Sequence, residues 1–244
     1  MNAVRTAKTL FIFLLALWLA LSTALVYVLT LENRIIHAVV SMGTGLILLW
    51  VFLGGGFTLL FRGRIRAFVL GIPGPWQVKF VVFATLLAML EEAVTTGMTN
   101  LAPLFGTQVG EAYITASADY LDVILHHSVI VFIPWFFVWA WLLGRYAFSP
   151  FWVFLLVGLN GLMAESLTFG LQNLSSFAMW IFVYGLMVYL PAYSIPIRHD
   201  ARPPRPWHAL LALVLPFLAG IPWVFAVRLI SPAHPDIHFL PIQP

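Results

Sequence analysis

The sequence predicts an all-α integral membrane protein, a bundle of about seven transmembrane helices. The first reason is composition: 62% of the 244 residues are hydrophobic, only 9% are charged, and the mean hydropathy is +0.98. An ordinary soluble domain carries about 25% charged residues. The second reason is that the apolar residues gather in runs of roughly 20, the length that a spanning helix needs. We treat residues 1–244 as a single transmembrane helical domain.

Seven apolar runs are bounded by Pro, Gly or charged residues. We predict spans at about 9–31, 35–61, 78–99, 119–143, 150–169, 177–195 and 209–230. The first run follows Arg5 and Lys8, but its apolar stretch is longer than that of a signal peptide and no small-residue cleavage motif follows. We therefore expect it to be retained as the first helix. Segment 65–77, which Gly and Pro interrupt, is expected to lie in the membrane interface as a short half-helix.

Arginine and lysine predict the orientation, because they gather on the cytoplasmic side of membrane proteins. With the N-terminus inside, 10 of the 12 basic residues share that side: Arg5, Lys8, Arg62, Arg64, Arg66, Lys79, Arg145, Arg198, Arg202 and Arg205. Seven spans then place the C-terminus outside. We expect a multi-pass protein of a prokaryotic cytoplasmic membrane. A basic inner face is the ordinary result of membrane insertion and lipid contact, so we expect lipid partners and no nucleic acid. The oligomeric state is not predicted.

Ionisable residues of three successive spans lie at nearly one depth. Glu91 and Glu92 are expected roughly 10 Å below the outer membrane surface, His126 and His127 roughly 10 Å, and Glu165 about 7 Å. A charged side chain near the bilayer centre costs a few kcal/mol. These side chains should therefore turn toward one another or toward a water-filled cavity, and they form a candidate site that opens to the outer side.

Helical spacing adds supporting residues. Asp119, Asp122 and His126 form one polar stripe, and Thr95 extends the polar face of the third span outward. Asn160, near mid-membrane, is expected to hydrogen-bond for helix packing rather than to take part in catalysis.

The fifth span places two glycines on the face of its carboxylate. Gly158, Gly161 and Glu165 follow helical spacing. Because small residues let helices approach closely, another helix should pack beside Glu165.

Two kinds of chemistry suit a site that contains several carboxylates and two imidazoles but no intramembrane lysine. One is a divalent transition metal, Zn, Fe or Mn, with Glu92, His126, His127 and Glu165 as candidate ligands. The other is acid–base chemistry without metal, in which a crowded carboxyl group holds a proton that a histidine exchanges. Its catalytic candidates are Glu91, Glu92 and His127. The motifs HExxH and ExxH are absent, as is cysteine.

The pair Glu91–Glu92 followed about 35 residues later by a histidine resembles the CAAX-protease and bacteriocin-processing group of glutamic intramembrane proteases. Their pattern is EExxxR, then FxxxH, then a further histidine. The chain has Thr96 in place of the arginine, Asp122 or Val123 in place of the phenylalanine, and no third histidine in that region. The resemblance implies that a glutamate would activate water and a histidine would steady the tetrahedral intermediate.

The expected function is therefore a metal-dependent or acid–base membrane enzyme, hydrolase-like, acting on a lipid or a membrane-embedded substrate. A proton- or cation-coupled transporter is one alternative, and the lack of an obvious internal repeat weakly disfavours it. A non-catalytic structural subunit is the other. His234 and His238, in the C-terminal tail, are on the correct side to reach the site, but we expect tail histidines to be solvated.

Overall fold

A computed structural model describes residues 2–239, with side chains from Thr6 onward. The described part of the chain is helical and contains no strand. Its main helices are α1 (Asn2–Leu29), α2 (Arg34–Gly71), α3 (Trp76–Asn100), α4 (Tyr120–His127), α5 (Val129–Arg145), α6 (Pro150–Phe169), α7 (Phe177–Tyr193) and α8 (Pro206–Ile230).

Five of the described helices are long and apolar enough to cross a membrane: α1, α2, α6, α7 with the short turn before it, and α8. A sixth crossing is formed if α4 and α5, which meet at a bend of 50°, count as one broken span. The chain is thus an all-α, multi-pass membrane protein. Helix α3, which has 25 residues and carries Glu91 and Glu92, is not among these helices.

Helix α2 is longer than predicted. It continues through a π-helical stretch, Ile47–Gly54, and ends at Gly71, so the expected separate half-helix at 65–77 is wrong. The helix ends there because Ile72 precedes Pro73, and a residue before proline disfavours the helical conformation. The ammonium of Lys79 then donates to the carbonyl oxygens of Val69 and Ile72, at 3.1 and 2.9 Å.

The predicted span 119–143 is interrupted rather than straight. The carboxylate of Asp119 caps its start by accepting hydrogen bonds from the backbone N–H groups of Leu121 and Asp122. A π turn, Val123–His127, follows, and the axis bends by 50° before α5 begins. Single π turns inside helices are frequent at functional sites. This one carries both His126 and His127.

Helix α3 packs against α2, α5 and α7. Its Phe80, Ala84 and Ala88 belong to the buried core, together with Trp139 of α5. The same helix carries the two buried glutamates one turn further along. The carboxyl groups of Glu91 and Glu92 are therefore enclosed by protein.

Helices α6 and α7 approach closely through glycines, as the sequence predicts for Gly158 and Gly161. A Cβ atom at Gly158 would lie 2.6 Å from the carbonyl oxygen of Ile181. One at Gly161 would lie 2.0 Å from the ring of Tyr184. The missing side chains thus create the space in which Tyr184 reaches Glu165.

We expect Gly158→Ala to lower the free energy of unfolding by about 1–3 kcal/mol, because the added methyl group would overlap backbone atoms that cannot move independently. Thermal unfolding in detergent would measure the change. Gly63→Ala is the matched control: its Cβ would meet nothing within 4 Å, and it should be neutral or stabilising by up to about 1 kcal/mol. Equal melting temperatures for the two variants would contradict the close-packing explanation.

Candidate functional site

Three carboxyl groups from two helices meet inside the bundle. We call Glu91, Glu92 and Glu165 the carboxylate cluster. Glu91 and Glu92 are only 4% and 7% exposed, so protein encloses both. Glu165 of α6 lies close enough to interact electrostatically with each of them. The structure thus brings together the three glutamates that are predicted to lie at nearly one depth in the membrane.

The carboxylate cluster is surrounded by hydroxyl groups. Thr95 donates to Glu91 Oε1 at 2.9 Å, and Tyr184 of α7 donates to Glu165 Oε1 at 2.5 Å. The hydroxyl of Ser128 faces Glu92 without the geometry of a hydrogen bond. Among the described residues, no salt bridge to lysine, arginine or histidine involves these three glutamates. The negative charge therefore lacks a neighbouring protein cation in this part of the chain.

The histidines form a second group around one aspartate. We call Asp122, His126, His127, His234 and His238 the Asp122 cluster. Asp122 Oδ1 lies 3.0 Å from His126 Nδ1 and 2.9 Å from His234 Nε2. Asp122 Oδ2 lies 2.9 Å from His238 Nδ1 and 3.8 Å from His127 Nε2. His127 Nε2 is also 3.1 Å from His234 Nε2. One carboxylate, itself only 10% exposed, thus meets four imidazoles.

The C-terminal tail supplies two of those imidazoles by folding back over the loop between α3 and α4. The backbone N–H of His238 donates to the carbonyl oxygen of Ala116 at 2.7 Å. The ring of Phe239 packs on Tyr113, with centroids 4.8 Å apart. These contacts hold the segment after α8 against the loop. His234 and His238 are therefore part of the site rather than free in solvent, which corrects the expectation for them.

The donor atoms of Asp122, His126 and His234 all lie within 4.8 Å of one another. Four ligands arranged tetrahedrally at 2.0–2.1 Å from a zinc ion are about 3.3–3.4 Å apart. The measured separations of 2.9, 3.0, 3.1 and 3.8 Å among Asp122, His126, His127 and His234 bracket that value. Imidazole and carboxylate are ligands that Zn, Fe and Mn accept. The group therefore contains the kinds of donor atom that such an ion needs, within reach of one another.

The two clusters are adjacent. Ser128, which faces Glu92, directly follows His127 in the chain. The hydroxyl of Tyr120, at the start of α4, donates to the carbonyl oxygen of Met89, 2.7 Å away on α3. Tyr120 also interacts electrostatically with Glu92. The Asp122 cluster thus borders α3, the helix that carries Glu91 and Glu92.

The structure divides the predicted ligand set between these clusters. His126 and His127 lie with Asp122 and His234, whereas Glu92 and Glu165 lie with Glu91. Of the supporting residues, Asp122 is central to its cluster and Thr95 bonds Glu91. Asn160 donates to the carbonyl oxygen of Leu213 on α8 at 2.8 Å, the packing role that its position predicts.

His234 is a ligand candidate that was not predicted from the sequence, because the predicted ligands all lie within the spans. A sequence signal for it exists: His234 and His238 are separated by three residues in HPDIH, an HxxxH spacing. Asp122 and His126 have the same spacing on α4 and make an i,i+4 pair. Neither spacing indicates that the two pairs meet, because they lie far apart in the chain. His127, next to His126, is 107 residues away from its partner His234.

Comparison of the chain with protein-family models, curated proteins and solved structures gives no match. The candidate function therefore depends on the geometry of the two clusters.

The loop beside the Asp122 cluster is tied to α2 by an ion pair between Arg34 and Glu111. Arg34 also donates to the carbonyl oxygen of Gly106 at 2.9 Å, and Glu111 accepts from the backbone N–H of Gln108 at 3.0 Å. The pKa of Glu111 is lowered from its ordinary value of 4.5. The largest cause is the hydrogen bond from Gln108, and the hydrogen bond and the charge of Arg34 add to it.

A lowered folded-state pKa means that Glu111 stabilises the fold above pH 4.5 and loses this contribution as the pH falls through the lower folded value. We expect wild type to melt above Glu111→Gln at neutral pH. The difference between their melting temperatures should vanish below pH 4.5 as the carboxylate is protonated. A difference that does not change with pH would contradict this role for the ion pair.

Proposed function

We propose that the chain crosses the membrane seven times, with α3 as a further span and with α4 and α5 as one broken span. The N-terminus is then cytoplasmic, the C-terminus lies outside, and the expected location is a prokaryotic cytoplasmic membrane. The positive-inside rule supports this orientation, because the basic residues gather at one end. The buried position of α3 between α2, α5 and α7 supports a central span, since buried helices in a membrane tolerate polar residues that face protein.

We propose that the Asp122 cluster binds a divalent transition metal, Zn, Fe or Mn, and that the protein is a metal-dependent membrane enzyme of hydrolase type. The observation that carries the proposal is the convergence of the donor atoms of Asp122, His126 and His234 within 4.8 Å. His127 is close enough to be a fourth ligand. A bound metal would polarise a substrate carbonyl or activate a water molecule.

The position of the cluster favours a lipid or a membrane-embedded substrate. Leu121 and Leu125 lie on the same helix as Asp122 and are 63% and 55% exposed. In a membrane, exposed leucines face lipid, so the site would border the phase in which such a substrate is dissolved. In hydrolysis, the water oxygen bonds to the acyl carbon, the bond to the leaving group breaks, and a proton moves to that group. Glu91, Glu92 and Glu165 of the carboxylate cluster are the nearby carboxyl groups that could accept and return protons.

Elemental analysis by plasma mass spectrometry tests the metal site. Purified wild type should carry close to one transition-metal ion per chain. His126→Ala and His234→Ala should each lower this content by an order of magnitude or more, since loss of a direct ligand exceeds the 10–100-fold effects measured for supporting residues. His199→Ala is the matched control, because His199 is exposed and lies outside the cluster. A folded wild type that binds no metal after zinc, iron and manganese are offered would overturn the proposal.

A proton- or cation-coupled transporter is the second candidate. The observation in its favour is that two polar residues next to the Asp122 cluster, Ser128 and Tyr120, interact with Glu92 of the carboxylate cluster. Reconstitution in vesicles that contain a pH-sensitive dye would detect proton movement. Proton flux that Glu92→Gln abolishes would favour transport, whereas metal-dependent cleavage of lipid without flux would favour the enzyme.

A further inference from the structure

At the end of the bundle opposite the Asp122 cluster, an apolar groove of about 400 Å³ runs along α5 beside the start of α3. Its lining is Gln77, Phe137, Ala140, Trp141, Gly144 and Arg145. Phe137 and Trp141 are 60% and 45% exposed, so the groove is open to the surrounding lipid. The lining residues of α5 follow the helix axis, and Arg145, at the end of α5, is the last of them. An acyl chain lying along α5 would therefore bring its headgroup to that cation.

Arginines gather at the end of the groove that Arg145 lines. The guanidinium of Arg145 stacks on Trp141 at 4.5 Å, and that of Arg198 lies over Trp76 at 5.5 Å. Trp76 approaches Gly144, where a Cβ would be 3.9 Å from the indole ring. The two arginine–tryptophan pairs therefore lie side by side across Gly144.

The backbone adds a third arginine. The backbone N–H of Arg202 donates to the carbonyl oxygen of Arg145 at 3.0 Å, and that of Ala147 donates to the carbonyl oxygen of Arg202 at 2.8 Å. These two bonds hold the α7–α8 connection against the end of α5. Asp200 is the single acidic residue in 198–205, a segment with three arginines. The corner is strongly positive.

One donor in this corner has no acceptor. The Nε atom of Arg198 is buried and has no hydrogen-bond partner among the described residues. A buried donor without an acceptor is unfavourable, and a phosphate oxygen would satisfy it. The guanidinium of Arg145 likewise makes no ion pair within the part of the chain that the structure describes. Asp200 lies near Arg198, so Arg145 is the more open guanidinium and Arg198, whose Nε is unpaired among the described residues, is the second cation beside it.

We propose that this groove binds a phospholipid with an anionic headgroup. The acyl chain lies along Phe137 and Trp141, and the phosphodiester is held by Arg145 and Arg198. Basic pockets between transmembrane helices near the cytoplasmic surface bind anionic headgroups in this way, and interfacial tryptophans suit the depth at which headgroup and chain meet. Binding here is independent of the metal site at the other end of the bundle.

Native mass spectrometry of detergent-purified protein, offered equal amounts of phosphatidylglycerol and phosphatidylcholine, tests the proposal. Wild type should retain phosphatidylglycerol preferentially. Arg145→Gln and Arg198→Gln should each weaken retention about fivefold, the effect of one arginine at an anionic membrane surface. Arg64→Gln is the matched control, because Arg64 is also an exposed arginine over an aromatic ring, Phe61, but lies on α2 away from the groove. Its retention should equal that of wild type.

Two further arms separate a lipid site from a site for a free anion. Gly144→Trp fills the groove without changing its charge and should reduce retention of the lipid. Excess inorganic phosphate should not displace the lipid. Equal loss in all three arginine variants would overturn the proposal in favour of non-specific attraction. Displacement by phosphate, or full retention in a folded Gly144→Trp variant, would overturn the acyl groove.

Discussion

Replacing Asp122 by asparagine is expected to abolish the metal binding proposed for its cluster and to release the C-terminal tail. Asp122 is the only residue in contact distance of all four histidines of its cluster among the described residues. An amide carries no charge and offers one acceptor oxygen in place of two, so it is a weaker metal ligand and loses the charge-assisted hydrogen bonds to the histidines. We expect the metal content to fall by an order of magnitude or more, as for loss of any direct ligand.

The second consequence of Asp122→Asn is structural and local. The tail is held by His234, His238 and Phe239, and two of these contacts end on Asp122. Limited proteolysis should therefore cut after α8 faster in the variant than in wild type, and added zinc should slow the cut only in wild type. Helices α1 to α8 should keep their melting temperature within a few degrees, because the cluster lies outside the main core.

Asp119→Asn is the matched control for this experiment. It makes the same chemical change three residues earlier, at the residue that caps α4, and asparagine is as good a cap as aspartate. It should keep the metal and the protected tail. Loss of metal in both variants would indicate that metal binding depends on an intact start of α4 rather than on the Asp122 carboxylate.

Glu91→Gln is expected to stabilise the fold while it removes function. The glutamine keeps an acceptor for Thr95, at present 2.9 Å from Glu91 Oε1, but it removes one of three crowded carboxyl groups. Burying charge without a partner cation is unfavourable, and residues retained at such a cost are usually functional. We expect a gain of about 1 kcal/mol, or roughly 2–4 °C in melting temperature for a chain of this size.

The functional half of this prediction concerns proton exchange. A hydrophobic carbodiimide reacts with a protonated carboxyl group in an apolar environment, so wild type should be labelled in α3 or α6. The metal at the Asp122 cluster should remain in Glu91→Gln, while turnover or proton flux is lost. Mass spectrometry of peptides would locate the label and show whether the substitution abolishes it.

Glu32→Gln is the control, because Glu32 is exposed and lies outside the carboxylate cluster. It should change stability by no more than about 0.5 kcal/mol. If Glu91→Gln instead lowers the melting temperature, the three glutamates contribute to folding as a hydrogen-bonded core. That result would favour the structural-subunit alternative over both the enzyme and the transporter.

The sequence by itself determined the class of the protein and selected its buried acids as candidates for one site. Composition and run length predict a multi-pass helical membrane protein, and hydrophobic length alone locates most helices within a few residues. The carboxylate cluster could also be predicted, because Glu91, Glu92 and Glu165 lie on apolar helices of one bundle, where exposing a carboxyl group to lipid would be costly. The glycine face of α6 could likewise be predicted from residue spacing along one helix, and the absence of a side chain at Gly161 leaves room for the ring of Tyr184.

The tertiary structure alone decided that the tail histidines meet Asp122, whereas the contact of His126 with Asp122 is local. A continuous helix would have carried His126 and His127 inward to Glu92, but the π turn and the 50° bend redirect the chain at that point. The tail then returns from the end of α8 to bring His234 to Asp122. Helical periodicity describes neighbours three or four residues apart, whereas these contacts join residues more than 100 positions apart through the packing of α4, the loop and the tail. The spans follow from hydrophobicity along the chain, and the Asp122 cluster follows from where a bent helix and a folded tail meet.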